Sequence, residues 1–253
     1  MTGSDRGRFA KGIALLRNES IGDLVRRAGA YAQHHGWILW STEICVMYLR
    51  SLPETAGVEA PAGTVFSLAE LSDLAAMVAC AGEEEDSAHL FTLFAGFFAA
   101  GHRCAVARNR HGIAGYLWEF RDEYVLTLDA YGPHSMQVKL EPNAVFTGNA
   151  YVRPDSRRHG LYRNLKHFLM RQSPPETAFY TWINRQNTAS LGANRNLGFT
   201  LLATLRFVGL GSGSALWWRP ADSARWLRAG LRWPAMTIQL SGARMTIGVP
   251  APR

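Results

Sequence analysis

Hydrophobic and polar positions alternate between two periods along this chain. At residues 21–35, Ile21, Leu24, Val25 and Ala28 share one helical face beside arginines, which predicts a moderately amphipathic helix. The aromatic and β-branched run at 37–52 predicts a long strand or strand pair. Residues 53–63 contain Pro53, Gly57, Pro61 and Gly63 and read as a linker. Beyond it, residues 65–82 predict a short strand, then a helix with Ser67 as N-cap and Leu68, Leu71, Leu74, Ala75 and Val78 on its face. A second helix is expected from about 87 to 100, with the apolar run 90–100 buried. That run is 11 residues long, whereas a membrane-spanning helix needs ~20.

Residues 103–120 predict a hairpin turning at 109–112. Strands follow at 124–128 and 144–152, and helix and strand then alternate to about Arg219. Residues 209–214 read as a flexible hairpin between two strands, and Trp217 and Trp218 as part of the closing strand. The segment 221–233 predicts an amphipathic helix of arginine and tryptophan, and 236–249 a β-hairpin. A helix of that kind would touch a membrane surface or pack on its own domain, and packing is favoured. The fold class expected is α/β (α+β), a mixed sheet flanked by helices. Residues 1–62 form an N-terminal extension, 63–220 the main domain and 221–253 a C-terminal extension.

Composition narrows the reading. With 47% hydrophobic residues in 253, the chain can bury a real core, and disorder is excluded. A net charge of +7 favours anionic partners, although only three basic residues are lysines and the arginines are scattered without a nucleic-acid motif. Nucleic acid is therefore disfavoured. Cys45, Cys80 and Cys104 are widely spaced among apolar neighbours, and the histidines show no metal-ligand spacing. No metal and a reduced, cytoplasmic protein are expected. The N-terminus lacks the sustained apolar stretch of a secretory signal.

Two segments carry chemistry. In residues 150–170 a strand ending at Val152 feeds Pro154 and a basic turn, Arg157, Arg158, His159 and Gly160, which opens a helix at Leu161 and Tyr162. Free N–H groups and the positive end of a helix dipole suit a bound anion, and Gly160 permits close approach. A surface turn that merely carries arginines would look the same. In residues 179–199 a strand ending near Ile183 leads to Asn187, a short helix and Leu197, Gly198 and Phe199. Asn187 as N-cap and Gly198 as C′ residue explain that helix without any ligand.

Together, the two segments resemble the GNAT superfamily of N-acetyltransferases. The first fits V-x-P-x-x-R-x-x-G-x-G/A through Val152, Pro154, Arg157, Gly160 and Tyr162; the second fits N-x-x-S followed by L-G-F through Asn187, Ser190 and Leu197 to Phe199. The resemblance covers roughly residues 64–219 and implies a GNAT-like sheet with terminal extensions outside it. It implies acetyl-CoA, or another acyl-CoA, in a gap between the strands ending at Val152 and near Ile183. Backbone amides around Tyr151 and Val152 would meet the pantetheine and thioester. Arg157, Arg158, His159, Gly160, Leu161 and Tyr162 would cradle the pyrophosphate, and Asn187 and Ser190 would line the pantetheine side.

Two positions depart from the pattern. Tyr162 stands where Gly or Ala is usual, and its side chain would either alter the phosphate contact or point outward. Asn194 stands where many members carry the tyrosine that protonates the leaving thiolate; an amide cannot be that acid. Glu119 is the first candidate for general base and Asp129 the second, with a solvated strand residue as the alternative for each. Asn149 and Tyr151 would orient a substrate. The expected activity is transfer of an acyl group, acetyl first, from CoA to an amine of a small molecule or biosynthetic intermediate. Peptide acceptors, or a non-catalytic CoA-binding module, are the alternatives. The oligomeric state is not legible.

Overall fold

The computed structural model describes residues 39–52, 61–82, 87–127, 135–210, 213–230 and 236–248. The helix expected at 21–35, most of the linker and Asp129 lie outside these. Thirteen strands are described: β1 (Leu39–Leu49), β2 (Val65–Leu68), β3 (Arg103–Asn109), β4 (Gly112–Arg121), β5 (Glu123–Thr127), β6 (Ser135–Leu140), β7 (Ala144–Val152), β8 (Ala178–Asn184), β9 (Thr200–Leu210), β10 (Gly213–Pro220), β11 (Leu227–Gly230), β12 (Met236–Ser241) and β13 (Arg244–Gly248). The described α-helices are α1 (Leu74–Ala81), α2 (Ser87–Ala99), α3 (Leu161–Arg171) and α4 (Thr188–Asn196).

Nine strands form one sheet in the order β11-β10-β9-β1-β8-β7-β4-β3-β2, and β13-β12-β6-β5 form a second. In the large sheet only β7 and β8 run parallel, which makes it mixed. The arrangement is α/β, as the pattern predicted. The N-terminal strand β1 lies between β8 and β9, antiparallel to both, with Ile44 opposite Asn184 on one side and Leu205 on the other.

Alternation along β4 explains the two-sided core. Tyr116, Trp118 and Phe120 pack with Phe94 of α2 and with Leu74, Met77 and Val78 of α1. Ala114 and Leu117 join Leu161, Leu165 and Leu169 of α3. A strand buried on both faces sits at the centre of a three-layer stack. A third cluster joins Cys45 and Met47 of β1 to Met170, Leu191 and Phe199, fastening α3 and α4 to the neighbouring strands.

Three local expectations are corrected. Ser67 is a residue of β2, not a helix cap: it pairs with Val106, and the turn into α1 starts after Glu70, whose N–H is bonded by the Asp73 carboxylate at 2.9 Å. Leu68 and Leu71 are accordingly exposed. In α2 only Leu90 and Phe94 are buried, and Phe91 is 49% exposed, because only one stripe of this apolar helix meets the sheet. Leu227–Gly230 is strand, not helix. The backbone of β10 offers it a ladder, and Trp226 lies between the guanidinium groups of Arg206 and Arg219, at 4.7 and 5.1 Å. The membrane-surface reading of that segment loses its helix at these residues. Among the described residues no helix is long and apolar enough to cross a membrane.

Candidate functional site

The parallel strands β7 and β8 are paired only from Ala144↔Ala178 to Thr147↔Thr181. Beyond that rung they separate. The cause lies in β7: Gly148 pairs with Trp118 and Ala150 with Leu117, so Asn149 between them is an extra residue, with φ of 45°. A bulge of this kind bends its strand away from its neighbour. Gly115 of β4 allows the bent segment to stay close, because a Cβ there would lie 2.8 Å from the Tyr151 carbonyl oxygen.

The wide end of the wedge meets the basic turn. Arg158 and Gly160 adopt φ of 70° and 73°, and α3 starts at Leu161 with no side chain capping it. Its first N–H groups are therefore left for a ligand. Arg157 crosses back over β7, donating from Nε to the Val152 carbonyl at 2.9 Å and covering the Tyr151 ring at 5.6 Å. On the facing side, Asn187 caps α4 through its carbonyl, which accepts from the Ser190 N–H at 3.0 Å.

A cleft of about 660 Å³ occupies this wedge. It gathers Tyr151, Val152, Arg157 and Arg158 from the β7 side, Gly160, Leu161 and Tyr162 from α3, and Asn187 and Ser190 from α4. It also includes Arg163, whose buried Nε has no hydrogen-bond partner. A buried guanidinium nitrogen without an acceptor suits an anionic oxygen. His159 lines an adjoining cavity of about 600 Å³ with Arg110, His111 and Asp155. Asn149 is not among the residues that line the cleft; it is the extra residue that shapes the strand.

Glu119, the first candidate for general base, is held in an ion-pair cluster. It is fully buried, and its Oε1 accepts from Arg103 Nε at 2.8 Å, Arg103 Nη2 at 2.6 Å and Arg121 Nε at 3.0 Å. Arg103 also reaches Ser173, just beyond the C-terminal end of α3. Along the sheet, Glu119 pairs with Thr147, the β7 residue of the last β7–β8 rung. Its carboxylate is engaged by the two arginines, and Glu119 is not among the residues that line the cleft. Among the described residues lining the cleft there is no carboxylate at all.

The feature that sequence reasoning missed lies between α3 and α4. Tyr162 points neither outward nor at the turn. Its hydroxyl accepts from Asn194 Nδ2 at 3.0 Å and is also hydrogen-bonded to the Thr181 side chain. Asn194 is fully buried; its Nδ2 also donates to the Ser190 carbonyl at 2.8 Å, and its Oδ1 accepts from Lys166 Nζ. Lys166 is fully buried over the Phe199 ring at 4.0 Å and forms no ion pair with any described residue. Burial pulls its pKa well below the ordinary lysine range. Burial likewise raises that of the Tyr162 phenol, which its hydrogen bonds to Asn194 and Thr181 draw back down. The available signal was the i, i+4, i+8 stripe of Tyr162, Lys166 and Met170, a second inward face beside the leucines.

No protein-family model matches the sequence, and no curated protein does. Solved structures with a similar fold include a tandem GNAT protein from the clavulanic acid biosynthesis pathway, 20% identical over 78% of this chain and 59% of that one, with a TM-score of 0.48. Others are the ribosomal-protein-alanine N-acetyltransferase of Brucella melitensis (17%, 54% and 84%, TM-score 0.39) and YncA of Salmonella typhimurium, solved with its cofactor acetyl-CoA (18%, 67% and 90%, TM-score 0.39). The chain spans about three fifths of the length of the tandem protein. These likenesses are distant, each at or below 20% identity with a TM-score under 0.5.

Proposed function

We propose that the protein transfers an acyl group, acetyl first, from CoA to an amine of a small molecule or biosynthetic intermediate in the cytoplasm. One observation carries this: the wedge between β7 and β8 ends at an uncapped helix N-terminus flanked by Arg157, Arg158 and Arg163, so a long thin ligand with phosphates at one end fits it. The turn and the arginines would hold the phosphates, and the unpaired edge of β7 from Gly148 to Val152 would supply amides to the chain behind them. An acyl-CoA brings an activated thioester carbonyl. N–H groups fixed on a bent strand stabilise charge developing on its oxygen without reorganising.

The acceptor amine must arrive neutral. With no carboxylate among the described residues that line the cleft, its proton goes to water in this reading, and the rate should climb with pH until the amine's own pKa is passed. Peptide amines are the other acceptor class. A CoA-binding module without transfer is the second reading, favoured by the same lack of a carboxylate.

Thermal unfolding with acetyl-CoA tests the proposal. At 100-fold excess over Kd the midpoint should rise by about 5 to 11 °C in the parent, and Gly160→Glu, which puts a carboxylate on a left-handed residue in the turn, should abolish the rise. A parent that does not shift with any acyl-CoA would sink the reading.

A further inference from the structure

We propose that the Tyr162 hydroxyl is the acid that protonates the departing sulfur, with Asn194 and Lys166 as residues that position it. This rests on the acyl-transfer reading above. Aminolysis of a thioester forms a C–N bond and breaks the C–S bond; the sulfur leaves as a thiolate unless a proton meets it. In the proposed step the amine nitrogen attacks the carbonyl carbon, and the C–S electrons pass to sulfur, which takes the phenolic proton. The transferred nitrogen gives its extra proton to water, and the Tyr162 phenolate regains one from water, so CoA leaves as the free thiol.

Position supports the assignment. The Tyr162 ring is part of the cleft wall, while its oxygen reaches Thr181, the last β8 residue before the strands part. With phosphates at the wide end, the thioester end of an extended donor points toward that narrow end. Thr181 in turn donates its hydroxyl to the Thr147 carbonyl at 2.8 Å, which fixes the Tyr162 partner at the last β7–β8 rung.

The network behind Tyr162 supports it independently. Lys166 donates to the Asn194 carbonyl oxygen, and the amide N–H₂ of the same residue donates to the phenol oxygen. Each bond in such a chain polarises the next, and both favour negative charge on the phenol as its proton leaves. A lysine is a costly way to fill this space, since burial opposes its charge and no described carboxylate offsets it. Polarising Asn194 toward Tyr162 accounts for its presence. The other lining groups are poor candidates: serine and arginine hold their protons too firmly, and the Tyr151 ring is covered by Arg157.

The test follows CoA release from acetyl-CoA with a panel of small primary amines and short peptides, together with acetyl-CoA binding by thermal shift. Tyr162→Phe keeps the ring and should lower kcat by about 100-fold or more, with the acetyl-CoA KM and thermal shift kept within about two-fold. Asn194→Asp keeps a partner for Lys166 but removes the donor to Tyr162; it should lower kcat by roughly ten-fold, again without changing KM. An unchanged kcat in Tyr162→Phe, a rise confined to KM, or a parent that binds acetyl-CoA without consuming it would overturn the assignment. Failure of the underlying reading looks different: acetyl-CoA then shifts neither parent nor variant, and the assignment falls with it.

Discussion

Two fully buried ionisable side chains, one near the C-terminal end of α3 and one within that helix, are treated in opposite ways. Glu119 is met by two arginines that deliver three hydrogen bonds to one oxygen. Lys166 is met by one amide oxygen and an aromatic face. The first sits where β3 and β4 close against the C-terminal end of α3, and two guanidinium groups balance its charge, although its buried Oε2 has no hydrogen-bond partner. The second sits behind a cleft, and Asn194 links it to the hydroxyl of Tyr162, a residue of the cleft lining. A buried charge marks a functional place by what is left uncompensated around it, not by burial.

That contrast can be broken in four ways. The largest effect belongs to Glu119→Ala, which strands Arg103 against a buried surface and should cost about 3 kcal/mol in urea unfolding, with acetyl-CoA affinity unchanged in the folded fraction. A loss of binding without a loss of stability would reverse the two roles. Gly115→Ala comes next: its new methyl meets backbone 2.8 Å away, so about 1–3 kcal/mol should be lost, and here binding should weaken as the end of β7 shifts. Arg121→Ala should cost about 1 kcal/mol or less, since Arg121 is 44% exposed and Arg103 still holds Glu119.

Lys166→Met should be close to neutral or stabilising, because an apolar side chain of similar length needs no partner. Its pH dependence sharpens this. A lysine whose pKa is lowered on folding binds fewer protons in the native state than in the unfolded chain, between its lowered value and 10.5. The parent should therefore gain stability as pH rises through that window, and the methionine variant should lack this gain. The advantage of the variant is then greatest on the acid side and fades toward pH 10.5. Unfolding midpoints measured from pH 6 to 10 would show it, and parallel curves would remove Lys166 from the account.

The elements that bound the cleft were legible because their signals were local. The run 144–152 is β-branched and aromatic between turn residues, and the apolar stripe of α3 follows Gly160 without interruption. The ion-pair cluster around Glu119 was not legible, because it depends on register. A hairpin turning at 109–112 in strict register places Arg103 opposite Trp118; an irregularity between Ala107 and Arg108 moves it opposite Glu119 instead. One extra residue changes which side chains share a face, and nothing in composition announces it. The bulge at Asn149 is hidden in the same way, although it opens the wedge. Residues 221–233 were misread because an arginine and tryptophan pattern fits a helix as well as an edge strand, and only the neighbouring β10 decides between them.

The place of β1 carries a consequence for how the chain is made. Thr42 and Asn184, bonded across β1 and β8, are 142 positions apart, and Glu43 and Arg206 are 163 apart. At ~5–20 residues per second of synthesis, β1 waits roughly 7 to 30 s for its first partner and longer for its second. Until then Ile44, Val46, Met47 and Leu49 have no sheet to enter. Closure of the sheet is thus a late, long-range event of the kind that folds slowly, and refolding yield should fall as protein concentration rises. Of the described strands, the first to be synthesised is among the last to be enclosed.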